Sequence, residues 1–436
     1  YIRNLQMSEH VQFNQKLIDF LDASVSKYHA VSEITKLLTQ NGFMRLEERD
    51  SWSLEKGGKY FVVRNNSSII GFVNGEISPQ ETGLSIVGAH TDSPSLMLKP
   101  NPIIRNSGYI QLGVEVYGGA LLKPWFDRDL SISGRIFVRD KTGELSERLV
   151  DFENPIGFIP SLAIHLNRDA NGNSPINAQT DILPILSQES LSDDLTGSPL
   201  EELLKSQFMD PEDSLLAHDL YLYDTQPASV IGLSNEFIAS RCLDNLVSCY
   251  AGIVALLGSS HGKLSMVVLN DHEEVGSLST TGADGPFLES IIRRLCKSWI
   301  DCDEEVVKAR SMVLSCDNAH AVHPNFSDKH DPNHRPLLNR GIVIKYNAKQ
   351  RYATDGFSAA FFKDLCEEDI AVQSFVSRND MPCGSTIGPL TAGKIGVRAI
   401  DIGISQLAMH SCREIIGARD PLYLYKALGK FFSIEQ

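Results

Sequence analysis

No apolar run in this chain approaches the ~18 residues that a bilayer-spanning helix requires; Tyr250–Gly258 is among the longest uninterrupted ones. No membrane span is therefore expected. The amino end, Tyr1 to His10, lacks a basic region followed by an apolar stretch, so no secretory signal is readable. Residues 1–6 stand ahead of Met7 and are left out of the domain reading. Paired cysteines are missing as well. The eight cysteines show no Cys-x-x-Cys spacing, and a chain of 436 residues needs no staples, which points to a reducing, cytoplasmic setting. Basic excess is also absent: 40 Lys+Arg stand against 55 Asp+Glu, a formal charge of −15. A phosphate-reading surface leans on clustered cations, so nucleic acid is excluded as a partner. No internal repeat of fixed period is visible.

What is present is an ordinary globular composition, 42% hydrophobic and 22% charged. At about 150 residues per domain, two or three domains are expected. Phe13, Leu17, Phe20, Leu21 and Val25, then Ile34, Leu37 and Leu38, mark two amphipathic helices closed by Asn41-Gly42. Strand signals follow at Tyr60–Val63, Ser68–Val73 and Leu84–Gly88, the last continuously apolar like an interior strand of a covered sheet. Between about 95 and 237 the pattern changes to half-exposed alternation (Ile110–Val116, Leu130–Val138, Val230–Leu233) with a long polar stretch, Arg168–Asp213, around a short helix. After 238, strand and helix alternate again: helix 245–257, strand Leu264–Leu269, helix 286–300, strands Ser311–Leu314 and Ile342–Tyr346, helix 356–367, strand Val397–Ile402 and a final helix 412–433. The expected fold is α/β: a mostly parallel sheet flanked by helices, built from residues 7–94 and 238–436, with a β-rich second domain inserted at 95–237.

Ligands of such sheets bind outside the carboxyl ends of the strands. Five residues of metal-ligand type sit there: His90, Asp244, Glu274, Asp317 and His410. Two imidazoles and three carboxylates, with Glu273 adjacent to one of them, are what a paired-zinc hydrolytic site needs, since such sites hold two ions roughly 3.5–4 Å apart and keep an unliganded base.

Singly, each has a bland explanation. Asp244 would cap helix 245–257, Asp317-Asn318 would make a turn, and Glu273-Glu274 would be solvated. Jointly, three details favour the metal. Asp92, two residues beyond His90, is placed to take the other imidazole N–H and fix the tautomer. Glu273 and Glu274 on an extended loop would point opposite ways, one to metal and one to water as general base. Ser411-Cys412-Arg413-Glu414 reads as a capping box, which would set His410 just ahead of a helix amino terminus that favours neutral imidazole. Of the twelve histidines, four crowd 318–334 without His-x-x-x-His spacing; these read as loop residues lining the pocket, His320 among them as a substrate contact.

Seven ordered motifs carry a family resemblance: His-x-Asp after a strand, Arg-x-Leu-Asp-Asn, Asp-x-Glu-Glu-Val-Gly-Ser, Cys-Asp-x-Ala-His-Ala-x-His-Pro-Asn, Lys-Gln-Arg-Tyr-Ala, Met-Pro-Cys-Gly-Ser-Thr-Ile-Gly-Pro and Leu-Ala-Met-His-Ser-x-Arg-Glu. From about residue 10 to 433 the chain resembles the M18 family of aspartyl aminopeptidases. The resemblance implies that His90, Asp244, Glu274, Asp317 and His410 hold two zinc ions per subunit, with Asp244 bridging and Glu273 as base. It implies a tetrahedral homododecamer in which the β insert makes the dimer contact. It gives His165 a role at a neighbouring subunit's active site and as an accessory metal contact, where the local pattern alone suggests a core histidine on an apolar strand. It gives Lys345 the acidic side chain of the substrate, where alone it would be a surface lysine.

The stretch Asn379–Pro389, with Gly384, reads as pocket-lining backbone that glycine permits; it lacks Gly-Lys-Ser/Thr, so a phosphate loop is disfavoured. The expectation is thus a metallo-aminopeptidase acting on peptides, with an amino-terminal Asp or Glu preferred. A dinuclear zinc deacylase or carboxypeptidase-like hydrolase is the rival of the same chemistry. A metal-stabilised shell protein without useful catalysis is the rival of another class, and it has no need of an unliganded Glu273.

Overall fold

The computed structural model describes residues 8–189, 198–260, 262–367 and 369–434; residues 1–6 and the Asp193-Asp194 part of the polar stretch lie outside them. The chain divides into two compact units: one of residues up to Asp92, Ala228–Met409 and Glu414 onward, the other Ser93–Pro227 with His410–Arg413.

The first unit is built on a thirteen-stranded sheet. Its centre is four parallel strands in the order Leu264–Asn270, Leu84–His90, Met312–Cys316, Arg398–Leu407. Strands Leu84–His90 and Leu264–Asn270 are buried at every position, as a sheet covered on both faces demands. The flanks are antiparallel. Ser68–Val73 pairs with Leu264–Asn270 on one side, and Glu414–Gly417 with Arg398–Leu407 on the other. The sheet is therefore parallel where the site lies and mixed overall.

Helices Glu9–Ala23, Lys27–Gln40, Leu243–Leu257 and Asp420–Phe432 bury a continuous apolar cluster against one face. Helix Phe287–Lys297 covers a second cluster with Ile86, Met266 and Val313. Each fully buried Leu, Ile or Phe contributes about 1.5–3 kcal/mol of transfer free energy, so these faces hold the elements in register. Gly42, at φ 82, ends helix Lys27–Gln40 where Asn41-Gly42 marks the stop.

Register decides what meets at the carboxyl edge. Asn270 lies opposite His90, and Ser315 opposite Gly88, so the residues leaving these strands emerge at one level. His90 and Asp317 thereby converge.

The second unit is a six-stranded antiparallel sheet in which Leu130–Arg139 is flanked by Leu145–Asp151 and Ser214–Asp224. Leu96, Leu112, Ile132, Ile136, Leu204 and Leu220 form its own core. The polar stretch contributes one strand, Ile185–Gln188, and the helix Pro199–Phe208 capped by Ser198.

Three expectations are corrected. Ser229–Ile231, assigned by pattern to the insert, pairs with Phe237–Ser240 in the large sheet, because Val230 and Ile231 sit opposite Ile238 and Phe237. The final helix starts at Asp420, and Glu414–Gly417 is a strand. Ser411–Glu414 is accordingly not a capping box: Ser411 Oγ accepts from Arg413 N, and the Glu414 carboxylate accepts from Asp244 N. His410 is thus followed by the strand Glu414–Gly417 and does not stand ahead of a helix amino terminus.

Candidate metal centre

His90 ends its strand, 1% exposed. Its Nδ1 lies 3.0 Å from the Asp92 main-chain oxygen and 3.4 Å from Asp92 Oδ1. An N–H donated at Nδ1 leaves Nε2 as the acceptor, and Nε2 faces Asp244 Oδ1 at 3.4 Å, Asp317 Oδ1 at 3.8 Å and Glu273 Oε2 at 3.9 Å. Both Asp92 oxygens thus lie against the ring, the main-chain carbonyl nearer than the carboxylate. The same carboxylate accepts the main-chain N–H groups of Glu273 and Glu274 at 3.1 and 3.2 Å.

Glu273 and Glu274 do not sit on an extended loop. They open a 3-10 turn, Glu273–Val275, between His272 and Gly276, both at positive φ. Consecutive residues of such a turn diverge by about a third of a turn rather than pointing oppositely. One oxygen of each carboxylate consequently lies within 4.8 Å of a His90 nitrogen and of the other.

Asp244 lies in the first turn of helix Leu243–Leu257, past the cap position Cys242, and its φ −85 and ψ 102 are non-helical. Its N–H donates to Glu414 Oε2 at 2.9 Å, and Asn245 Nδ2 donates to Cys316 O at 2.7 Å. The Asp244–Asn245 peptide is cis. Asp317 follows its strand directly and donates its N–H to Ile402 O at 2.9 Å. His90, Asp244 and Asp317 form a second set of ligand atoms within 4.8 Å.

So many carboxylates in one dry place repel one another, which disfavours their charged forms. Burial, with Asp317, Asp92 and Asp244 adding to it, pushes Glu273 up to about 8. Burial, then Asp244, raises Glu274 well above the usual carboxylate range. Burial would depress His90, but Asp244, Asp317 and Asp92 outweigh it and hold the imidazole well above its ordinary value. A divalent cation would offset the carboxylate repulsion and displace the protons from all three. Carboxylate oxygens with one neutral imidazole nitrogen are also the donor set that zinc accepts, so the residues fit the metal. Cys249 is no ligand: its thiol donates to His90 O at 2.9 Å, and burial pushes it up to about 12.

The remaining expected site residues are placed as follows. Lys345, read alone as a surface residue, is 2% exposed. Its Nζ lies 3.4 Å from Asp317 Oδ2, donates to Asn318 O at 3.2 Å, and stands 5.2 Å from the Tyr352 ring centroid. His320 is exposed on the short strand Ala319–His320, edge-on to Phe375. Gly384 is exposed and outside the positive-φ glycines, so its conformation does not require glycine. His165 is exposed on a turn of the second unit rather than in a core, with Leu162, Ile164 and Leu166 exposed beside it. His410 belongs to the second unit, its Nδ1 3.1 Å from Gly119 O, at φ 67.

Sequence reasoning missed Asp401. Wholly buried, it accepts Ser315 Oγ, Thr386 Oγ1 and Ala353 N, each at 2.6 Å, and so ties loops 351–354 and 383–386 to the strand ends. A lone carboxylate inside the apolar run Ala399–Ile404 was the available signal.

Strand-end carboxylates and histidine at the parallel centre of a helix-flanked sheet define a metallohydrolase. The profile of the family described as "Aminopeptidase I zinc metalloprotease (M18)" matches residues 20–432. A probable M18 family aminopeptidase 2 of Pseudomonas aeruginosa is 52% identical over 428 residues, covering 98% of this chain and 99% of that protein. Among solved structures, Chaetomium thermophilum mApe1 superposes with TM-score 0.86 at 34% identity, covering 98% of both chains. An S. cerevisiae mApe1 dodecamer gives TM-score 0.85 at 30% identity, covering 98% of this chain and 97% of that one. The chain belongs to the M18 family of zinc aminopeptidases. It is a hydrolase of peptides with zinc as its metal. Among the described residues, no helix is long and apolar enough to cross a membrane.

Proposed function

We propose that this aminopeptidase works with two zinc ions and releases an amino-terminal Asp or Glu from peptides. His90, Asp244, Glu274, Asp317 and His410 would hold the ions, and Glu273 would serve as the base. The observation that carries the reading is the convergence of His90 with Asp244 and Asp317, and with Glu274 beside the adjacent Glu273, at the ends of adjacent parallel strands. Bound zinc supplies Lewis acidity to the scissile carbonyl and acidifies the attacking water.

The chain's own residues do the rest. Glu273 takes a proton from water as the water oxygen adds to the carbonyl carbon, then returns it to the amine nitrogen as the C–N bond breaks. Asp92 takes the Glu273 N–H on its carboxylate and holds the His90 ring with its main-chain carbonyl, so the base and a proposed ligand are set by one residue. Lys345, His320 and Gly384 are assigned to the substrate's side-chain pocket, with Lys345 meeting its carboxylate. The pairing of Lys345 with Asp317 favours a second reading, in which the lysine braces a ligand for every substrate.

The dodecamer of the yeast relative supports a homo-oligomer here, proposed as a tetrahedral dodecamer in which the insert makes the dimer contact and His165 reaches a neighbour's site. The free cysteines support a cytoplasmic setting. Hydrolysis of a panel of aminoacyl-nitroanilides by the zinc-loaded enzyme tests the substrate claim. Preference for Leu over Asp removes it.

A further inference from the structure

The turn bearing Glu273 and Glu274 is held from two sides. On one side is Asp92. On the other is Asp271, the residue that joins strand Leu264–Asn270 to the turn. Its carboxylate Oδ1 accepts His272 N at 2.7 Å, and its own N–H donates to Ser68 Oγ at 2.9 Å. The same Oδ1 lies 2.8 Å from the ammonium of Lys27, and the two side chains are 5% and 1% exposed.

Lys27 is the first residue of helix Lys27–Gln40, capped by Ser26. A cation there is set against the positive end of the helix dipole, and burial adds a desolvation cost. Within the helix, the Tyr28 ring stands 5.6 Å from the ammonium. Its opposite charge is Asp271, a residue of the active-site edge 244 positions away. Local rules broken in favour of a distant partner are the mark of a functional constraint.

We propose that Lys27 is a positioning residue which, through Asp271, fixes the turn presenting Glu273 and Glu274. His272 sits at φ 63, a left-handed conformation that an imidazole-bearing residue keeps only when its surroundings enforce it. The Asp271 Oδ1 bond to His272 N is one such restraint, and the Lys27 ammonium anchors that oxygen. Loss of the ammonium leaves a carboxylate in a dry place without its cation, free to turn toward water and release His272. The inference rests on Glu273 acting as the base.

The test uses the zinc-loaded enzyme with Lys27→Met and Lys27→Arg. A shift of about 1 Å at a reacting group costs up to about a hundredfold, so Lys27→Met is expected to lower kcat by about ten- to a hundredfold with KM changed less than about threefold. Lys27→Arg, which keeps the ion pair, recovers most of the rate. On a Glu273→Gln background the further loss from Lys27→Met is under about threefold, because the positioned group is already gone. Independently of turnover, amide hydrogen exchange across His272–Ser277 speeds up about tenfold or more in Lys27→Met, while strand Leu264–Asn270 stays protected. If Lys27→Met does not fold, Lys27→Gln is read by the same measurements. Unchanged exchange in the turn overturns the proposal, as does an equal fold-loss on both backgrounds. Full turnover of Glu273→Gln removes the base assignment instead and leaves the exchange result to judge the strut.

Discussion

The ammonium of Lys345 lies 3.4 Å from Asp317 Oδ2, while Asp317 Oδ1 faces His90 Nε2 at 3.8 Å. One carboxylate therefore links the lysine assigned to the substrate with the histidine assigned to the metal. Lys345→Met then has two effects. It removes a charge-assisted hydrogen bond to an acidic substrate, worth about 1.5–3 kcal/mol, or roughly one to two decades of specificity. It also leaves Asp317 without its buried cation, which touches every substrate alike. The expected result is a moderate loss of kcat/KM on Ala and Leu substrates and a loss about tenfold or more greater on Asp and Glu. Parallel losses across the panel would assign Lys345 wholly to bracing Asp317.

Glu273 is 3.9 Å from His90 Nε2 and only partly exposed, so its carboxylate is close to the ligand set without being enclosed by it. Glu273→Gln keeps shape and the Asp92-bound main-chain N–H but cannot accept a proton. Turnover should drop by about two to four orders of magnitude with zinc content unchanged, as checked by metal analysis beside initial rates. Near-normal rates at full zinc would refute the base assignment.

What was legible in the sequence follows from what local pattern can encode. The strand Leu84–His90 declares itself, because an interior strand is buried at each position and mostly apolar, and the candidate ligands follow from the rule that such sheets bind at their carboxyl ends. Glu414 did not. Ser411-Cys412-Arg413-Glu414 fits a helix cap as well as a strand, and only the partner Asp244 N, 170 positions away, decides between them. Lys345 between Ile344 and Tyr346 looks like the polar side of a half-exposed strand, and its burial depends on Asp317 and Tyr352. His165 fails in the opposite sense. Its apolar neighbours suggest a core, yet Leu162 and Leu166 are exposed. Tertiary partners, not propensity, settled each of these.

Chelation of zinc should leave a protein that weakens as pH rises. Burial and neighbouring carboxylates raise Glu273 to about 8 from 4.5, and burial with Asp244 raises Glu274 in the same direction. His90 is held above 6.5 although burial opposes it. In each case the folded state keeps a proton that the unfolded chain has released, so stability is lost from about pH 4.5 upward for the carboxyls and above about pH 6.5 for the imidazole. Zinc requires these groups deprotonated, so its uptake must expel protons and its affinity must rise with pH. Thermal melts of the chelated protein should fall in Tm from about pH 5 to pH 8, and zinc should restore most at the upper end. Titration calorimetry in buffers of different ionisation enthalpy checks the proton release. A chelated protein whose Tm climbs across that range would contradict the electrostatics.

His165 stands on an exposed turn among the exposed apolar side chains Leu162, Ile164 and Leu166. Monomers rarely leave such groups together on the surface, and a subunit contact would cover them. If His165 serves a neighbouring subunit, His165→Ala should lower activity without changing the melting of the fold, since an exposed side chain contributes little to stability. Glu273→Gln is inactive for a different reason. In a mixed oligomer some sites pair a wild-type Glu273 with a neighbour's wild-type His165, so reassembling the two variants in equal parts should restore up to about a quarter of wild-type turnover if each site draws its two residues independently. Native mass spectrometry verifies the mixing. A verified hybrid with no more activity than its components would show that His165 acts within its own chain or not at all.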